Sequence, residues 1–245
     1  MLFRLCERVE RKAAYFQGKG YGTSTIEQEV RWVSQLLGRA PRLAVDIGGN
    51  IGNYTAELLK NTPELEIHVF EPSGVNIGRL RSRFQDRANV RLVSAAVSDS
   101  GGSATLYSNQ PGSGLGSLTK RDLAHFGIAF DVVEPVRVVR FDQYWLDQLG
   151  RRPIDIVKID IEGHELAALR GFSDAIHAVQ ILQFEFGGSN IDTRTFFRDL
   201  WHFFQENRFD LFRITPLGLD GITRYREADE FFSVTNFIAV NRAGT

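Results

Sequence analysis

Residues 43–55 read LAVDIGGNIGNYT, and the rest of the chain can be ordered around what this stretch must be. Its first residues suit a buried strand; then come Gly48, Gly49 and Gly52, three glycines within five positions, with Asn50 and Asn53 among them and a helix pattern opening near Thr55. A strand that turns so sharply after Asp46 lets the backbone approach a ligand lying over the start of the next helix. The spacing therefore predicts a cofactor loop, with strand-to-helix packing as the other role open to the glycines. It is not the dinucleotide fingerprint G-x-G-x-x-G, because Ile47 stands where the first glycine of that pattern belongs. Asp46 at the loop mouth would repel a pyrophosphate but suits a ligand carrying an ammonium or sulfonium group.

Working outward, RLAVDIG, EIHVFEP, VRLVSAAVS, IDIVKIDIE and VQILQFEF are β-rich runs, several apolar almost throughout, as strands covered on both faces are. YTAELLKN and SGVNIGRLRSRFQ separate the first three as helices. This order predicts an α/β fold with a mostly parallel sheet and ligand chemistry at the C-terminal ends of its strands. FDLFRIT and FFSVTNFIAV lack a helix between them, which predicts an antiparallel strand at the far edge.

EIHVFEP ends in Glu71, followed by Pro72 and Ser73, where an acceptor-only carboxylate can take both hydroxyls of a ribose; capping the next helix is its other role. A phosphate would want Lys or Arg nearby, and 46–55 has neither. Asp46 and Glu71 together favour S-adenosylmethionine. Small residues after the third strand, Ala95 and Ala96 with Ser94 and Val97, let a flat adenine ring approach. In IDIVKIDIEGHE, alternation puts Lys158 and Asp160 on one side, and Glu162, Gly163, His164 and Glu165 then turn across the strand end. Charges this dense beside an apolar strand either pair or work. Lys158 with Asp160 or Glu165 could form a structural salt bridge. Asp160, Glu162 and His164 are the candidate catalytic bases, His164 because imidazole titrates near neutrality. Glu185, ending VQILQFEF, projects toward the same crevice to orient an acceptor or complete an acidic metal site with Asp160 and Glu162. With one histidine nearby, no metal is expected. The loop NQPGSGLGSLTKRDL, with Ser113 and Ser117, reads as a flap over the acceptor.

VDIGGNIGNYT, VFEPSGVNIGRL, AAVSDSGGSATLY, SGLGSL at 113–118 and above all VKIDIEGHELAALRG resemble the FkbM-type S-adenosylmethionine-dependent methyltransferases, over about residues 43 to 240. The resemblance implies a Rossmann-like sheet of seven strands, one of them antiparallel, with helices on both faces. It also implies methyl transfer to oxygen, commonly of a sugar or polyketide, and an Asp160 near the methionine part of the cofactor, holding its ammonium or facing the acceptor. Gly49 replaces the alanine of many relatives. Two readings from other classes stand beside it: a nicotinamide-dependent sugar oxidoreductase or epimerase, which lacks its glycine fingerprint and a Tyr-x-x-x-Lys pair here, and a non-catalytic cofactor-binding scaffold.

The chain has 245 residues, 43% hydrophobic, with a net charge of -1, which suits one large domain and gives no electrostatic reason to expect nucleic acid. Cys6 is the only cysteine, and no run has the apolar length of a membrane span, so a cytoplasmic setting is expected. Residues 1–40 read as a helical segment, either lid or packing helices, before a methyltransferase domain at 41–245. Leu2, Leu5, Val9 and Tyr15 or Phe16 fall at roughly helical spacing among Arg4, Arg8, Arg11 and Lys12; a second subunit, hence a homo-oligomer, is one partner for such a helix. GKGYGTS at 18–24 reads as a joint, and Ile26, Val30, Val33 and Leu37 define a second amphipathic helix.

Overall fold

The computed structural model describes residues 2–22 and 25–244, so the joint at 18–24 lies partly outside the described residues. Its elements in chain order begin with α1 (Leu2–Phe16), α2 (Ile26–Leu37), β1 (Leu43–Ile47), α3 (Asn53–Asn61), β2 (Glu66–Phe70), α4 (Gly74–Arg83) and β3 (Val90–Val93). Then come β4 (Ala96–Val97), β5 (Gly102–Ser108), β6 (Val132–Val139), α5 (Phe141–Asp147), β7 (Ile154–Ile159) and α6 (Glu165–Arg170). The last are β8 (Val179–Phe186), α7 (Ser189–Thr193), α8 (Phe197–Glu206), β9 (Phe209–Thr215), β10 (Gly218–Ile222) and β11 (Thr235–Asn241).

The main sheet runs β10-β9-β11-β8-β7-β1-β2-β3, with β3, β2, β1, β7 and β8 parallel. β1 and β7 are buried at every position, as central strands covered by helices must be. One apolar core packs α5, α6 and α8 against the sheet, and a second packs α2, α3 and α4 against its other face. The chain winds outward from β1 through β2 to β3 and returns to place β7 on the other side of β1. A crevice opens at that reversal, above the C-terminal ends of β1 and β7.

The α/β class is as expected, and three details differ. The antiparallel strand β11 lies inside the sheet between β8 and β9, not at its edge. β10 turns back on β9 as an eighth strand, so the sheet is one strand wider than seven. VRLVSAAVS is not one strand: it breaks after Val93, and Ala96–Val97 joins β5 and β6 in a separate three-stranded sheet. Nothing in the sequence announces the small sheet, because β5 and β6 mix exposed and covered positions and β4 is two residues long.

The predicted helical face of α2 is real: Val30, Val33 and Leu37 are buried, and Gly38 closes the helix at φ 69°. Glu29 is buried beside them, accepting hydrogen bonds from Thr25, Gln183 and Asn236. α1 buries Ala14 and leaves Leu2, Leu5, Val9 and Phe16 exposed. Among the described residues, no helix is long and apolar enough to cross a membrane.

Candidate active site

The glycine loop after β1 is shaped by what it touches. Gly48 has φ 89°, and a Cβ there would sit 1.9 Å from the carbonyl oxygen of Asp160. Only glycine lets the ends of β1 and β7 approach this closely. Gly49 faces Val69, and Gly52 faces Leu80 of α4 and Phe84 just beyond its end, so these two serve strand and helix packing. Arg83 of α4 fastens the same loop through the carbonyl of Ile51 (2.6 Å) and the side chain of Asn53 (2.7 Å).

A cavity of about 300 Å³ opens above this loop. Gly48, Asn50, Glu71, Pro72, Ser73, Ala95, Ala96, Ser113, Asp160, Glu162 and His164 all line it. Asp46, Gly49, Gly52, Asn53, Thr55, Ser117 and Glu185 do not. Asp46 is 1% exposed and points into the sheet, where its Oδ2 accepts a 2.6 Å hydrogen bond from Thr55 and β-pairing sets it across from Lys158. Burial raises its pKa, with Lys158 pulling the other way. Asp46 and Thr55 thus pin the loop from below, while Glu185, half-buried at the end of β8, sits behind Asp160 and Glu162. Burial first, and then those two carboxylates, push its pKa well up.

Glu71 lies on the cavity wall. Its two oxygens accept the backbone N–H groups of Asn50 (2.8 Å) and Ser73 (2.9 Å), yet burial still pushes its pKa up to about 7. Oε1 also accepts from Asn76 Nδ2 at 3.4 Å, so Oε2, with Asn50 as its one donor, keeps a lone pair for a further donor. Ala95 and Ala96 join Ile47, Phe70, Val97 and Leu106 in an apolar part of the lining. Phe70 and Ile47 were legible as strand ends, but Leu106, Val132 and Val133 come from the small sheet, and nothing local in the sequence marks them as cavity residues.

At the opposite end Asp160 is paired with Lys158 at 2.7 Å, and a third of its side chain remains exposed. Lys158 keeps a raised pKa despite its burial because Asp160 and Asp46 flank it. Glu162 has φ 55°, an uncommon conformation for a side-chain-bearing residue. Its carboxylate is held by Arg121 at 2.6 Å, and burial with Asp160 nearby pushes its pKa up to about 8. Glu165 is turned away from the cavity; it accepts the N–H groups of Ile161 and Gly163 and so shapes the turn. His164 precedes α6, its ring makes no hydrogen bond to a described residue, and burial lowers its pKa, with Asp99 opposing. Among the described residues, no group of three or more His, Cys, Asp or Glu side chains could hold a metal ion.

A carboxylate placed to accept ribose hydroxyls, an apolar slot beside it and the partly exposed Asp160 carboxylate at the far end together fit S-adenosylmethionine. Bound there, its nucleoside would face Glu71 and the slot, and its sulfonium and ammonium the end that carries Asp160. Fold and cavity thus define the class of S-adenosylmethionine-dependent methyltransferases. Residues 46–211 match the family model described as the methyltransferase FkbM domain, well over half of the chain. The chain belongs to this family, which displaces the nicotinamide reading. It is 23% identical over 194 residues to the 2-O-methyltransferase NoeI of Sinorhizobium fredii, covering 74% of this chain and 78% of that protein. It is 27% identical over 150 residues to Methyltransferase 1 of Beauveria bassiana, covering 53% and 58%. Among solved structures, a proposed caffeoyl-CoA O-methyltransferase from Staphylococcus aureus superposes with a TM-score of 0.50 at 7% identity, covering 96% of this chain and 91% of that one. An O-methyltransferase from Bacillus cereus, in complex with SAH, gives 0.47 at 13% identity, covering 97% and 90%.

Proposed function

We propose that this chain transfers the methyl group to a hydroxyl oxygen of a small-molecule acceptor, a sugar or natural-product alcohol. S-adenosylmethionine supplies an already activated methyl group, so the residues need only align the acceptor, exclude water and remove a proton. The observation that carries the reading is His164, an imidazole on the cavity wall that burial keeps neutral near pH 7. A neutral imidazole can take the hydroxyl proton as the oxygen accepts the methyl group. Its neighbours are less suited: Glu162 is engaged by Arg121 and Asp160 by Lys158. The cavity lining carries no Lys or Arg among the described residues, so an uncharged polyol fits better than a phosphorylated acceptor. The 2-O-methyltransferase name of one relative supports the same reading.

The test is transfer of labelled methyl to a panel of glycosides, phenols and amines, with NMR assignment of the product. Methyl on oxygen is expected, and His164→Ala should lower single-turnover rates by about 10²–10⁴-fold with S-adenosylhomocysteine affinity nearly unchanged. Transfer to nitrogen alone would overturn the oxygen acceptor. A near-normal rate for the variant would move the base to Glu162 or Asp160.

A further inference from the structure

The segment 109–131 joins β5 to β6, and Ser113, Gly114, Gly116 and Leu118 within it roof the cavity. Within it Ser117, Leu123 and Phe130 are buried and Ser117 exchanges two backbone hydrogen bonds with Tyr107 of β5, at 2.8 and 3.0 Å; side-chain tethers hold the rest. On the α4 side Arg79 donates to the carbonyl of Gly112 at 2.9 Å. On the other side the roof is fastened to the Glu162 turn and to α7. Arg121, with 9% of its side chain exposed, donates from Nη1 to Glu162 Oε2 at 2.6 Å and from Nε to Asp192 Oδ2 at 3.3 Å. The other oxygen of Asp192 accepts the N–H of Asp122 at 3.1 Å, and the hydroxyl of Ser117 donates to the carbonyl of Glu162 at 2.9 Å.

Two features make Arg121 more than an ordinary surface pair. Glu162 holds a left-handed backbone conformation at φ 55°, which is strained for a residue with a side chain and persists only where its surroundings hold it. And a planar guanidinium can meet two carboxylates from different edges at once, which a lysine ammonium cannot do in the same geometry. We propose that Arg121 is a positioning residue: by bridging Glu162 and Asp192 it holds the Glu162 carboxylate at the cavity wall and keeps the roof closed over the cofactor. This rests on the methyltransferase reading of the cavity only for its effect on cofactor release, because the tether itself is a property of the chain alone.

Amide hydrogen exchange of the ligand-free protein tests the tether, and the dissociation rate of S-adenosylhomocysteine tests its consequence. Arg121→Ala should speed exchange at 111–118 by about tenfold or more while leaving β1 and β7 unchanged, and S-adenosylhomocysteine should leave about tenfold faster. Arg121→Lys should recover part of both effects, since lysine can pair with one carboxylate. Asp192→Asn spares the Arg121–Glu162 pair and carries the test if Arg121→Ala does not fold; roof exchange faster by about threefold supports the tether. Unchanged roof exchange in the folded variants would overturn the proposal, as would faster exchange spread evenly through the sheet. If the parent protein bound no S-adenosylhomocysteine, the reading of the cavity would fail while the exchange data still decided the tether.

Discussion

If Glu71 accepts the ribose hydroxyls, it couples cofactor binding to pH. Its carboxyl has a pKa of about 7 because burial outweighs the N–H groups of Ser73 and Asn50 that favour the charged form. Ribose hydroxyls donate to the ionised carboxylate, so binding draws Glu71 toward deprotonation and releases a proton. Affinity for S-adenosylhomocysteine should accordingly be full above about pH 7 and fall by up to about tenfold per unit below it. Glu71→Gln should be weaker by about 2–3 kcal/mol at pH 8 and should lose the pH dependence. Calorimetry between pH 6 and 8.5 measures both; a flat profile in the parent would remove Glu71 from ribose binding.

The loop between β1 and α3 is where one element meets three others, and its glycines differ in what they protect. Gly48 combines φ 89° with a Cβ position 1.9 Å from the backbone of Asp160, so a methyl group there forces β1 and β7 apart at the cavity floor. Gly38, closing α2 at φ 69°, has nothing within 4 Å of its Cβ position. Gly38→Ala should therefore cost about 1 kcal/mol, the backbone term alone, whereas Gly48→Ala should cost about 3 kcal/mol or more and abolish S-adenosylhomocysteine binding. Urea unfolding with a binding assay on both variants checks this; equal losses would mean that the close approach at Gly48 relaxes freely.

Across the whole molecule, the buried carboxylates of the site set the pH dependence of stability. Glu71 and Glu165 have pKa values of about 7 and Glu162 of about 8, each raised first by burial from the ordinary 4.5. Between 4.5 and these values the native state keeps protons that the unfolded chain has released, so stability falls as pH rises through that window. Asp155 and Asp229 act oppositely. Despite burial, hydrogen bonds from Arg39 to Asp155, and from Arg226 and Arg213 to Asp229, hold their pKa values below 3.8, and the stability they contribute is lost only in stronger acid. The ligand-free protein should be most stable near pH 5 and melt roughly 5 °C or more lower at pH 8. S-adenosylhomocysteine at a hundredfold its dissociation constant should restore about 2.7 kcal/mol. Melting curves from pH 4 to 9 test this, and a midpoint that rises from pH 5 to 8 would reverse the sign assigned to the three glutamates.

What the sequence determined alone is local: a strand and the turn that leaves it are continuous in the chain. LAVDIGGN, VFEPS and VKIDIEGHE therefore showed that the crevice lies above three strand ends, and most of the residues on its floor could be named from them. Period-two alternation also put Lys158 and Asp160 on one side of β7. Which way Asp46 points was decided only by the pairing of β1 with β7, which seats it beside Lys158 beneath the loop. The roof was decided in the same way. Arg121 meets Glu162 across 41 residues of chain, and β6 brings Val132 and Val133 to the cavity from a sheet with no apolar run to announce it. Periodicity records which residues share a face of one element; which distant element covers that face depends on the free energy of packing the whole chain, and only the tertiary structure contains it.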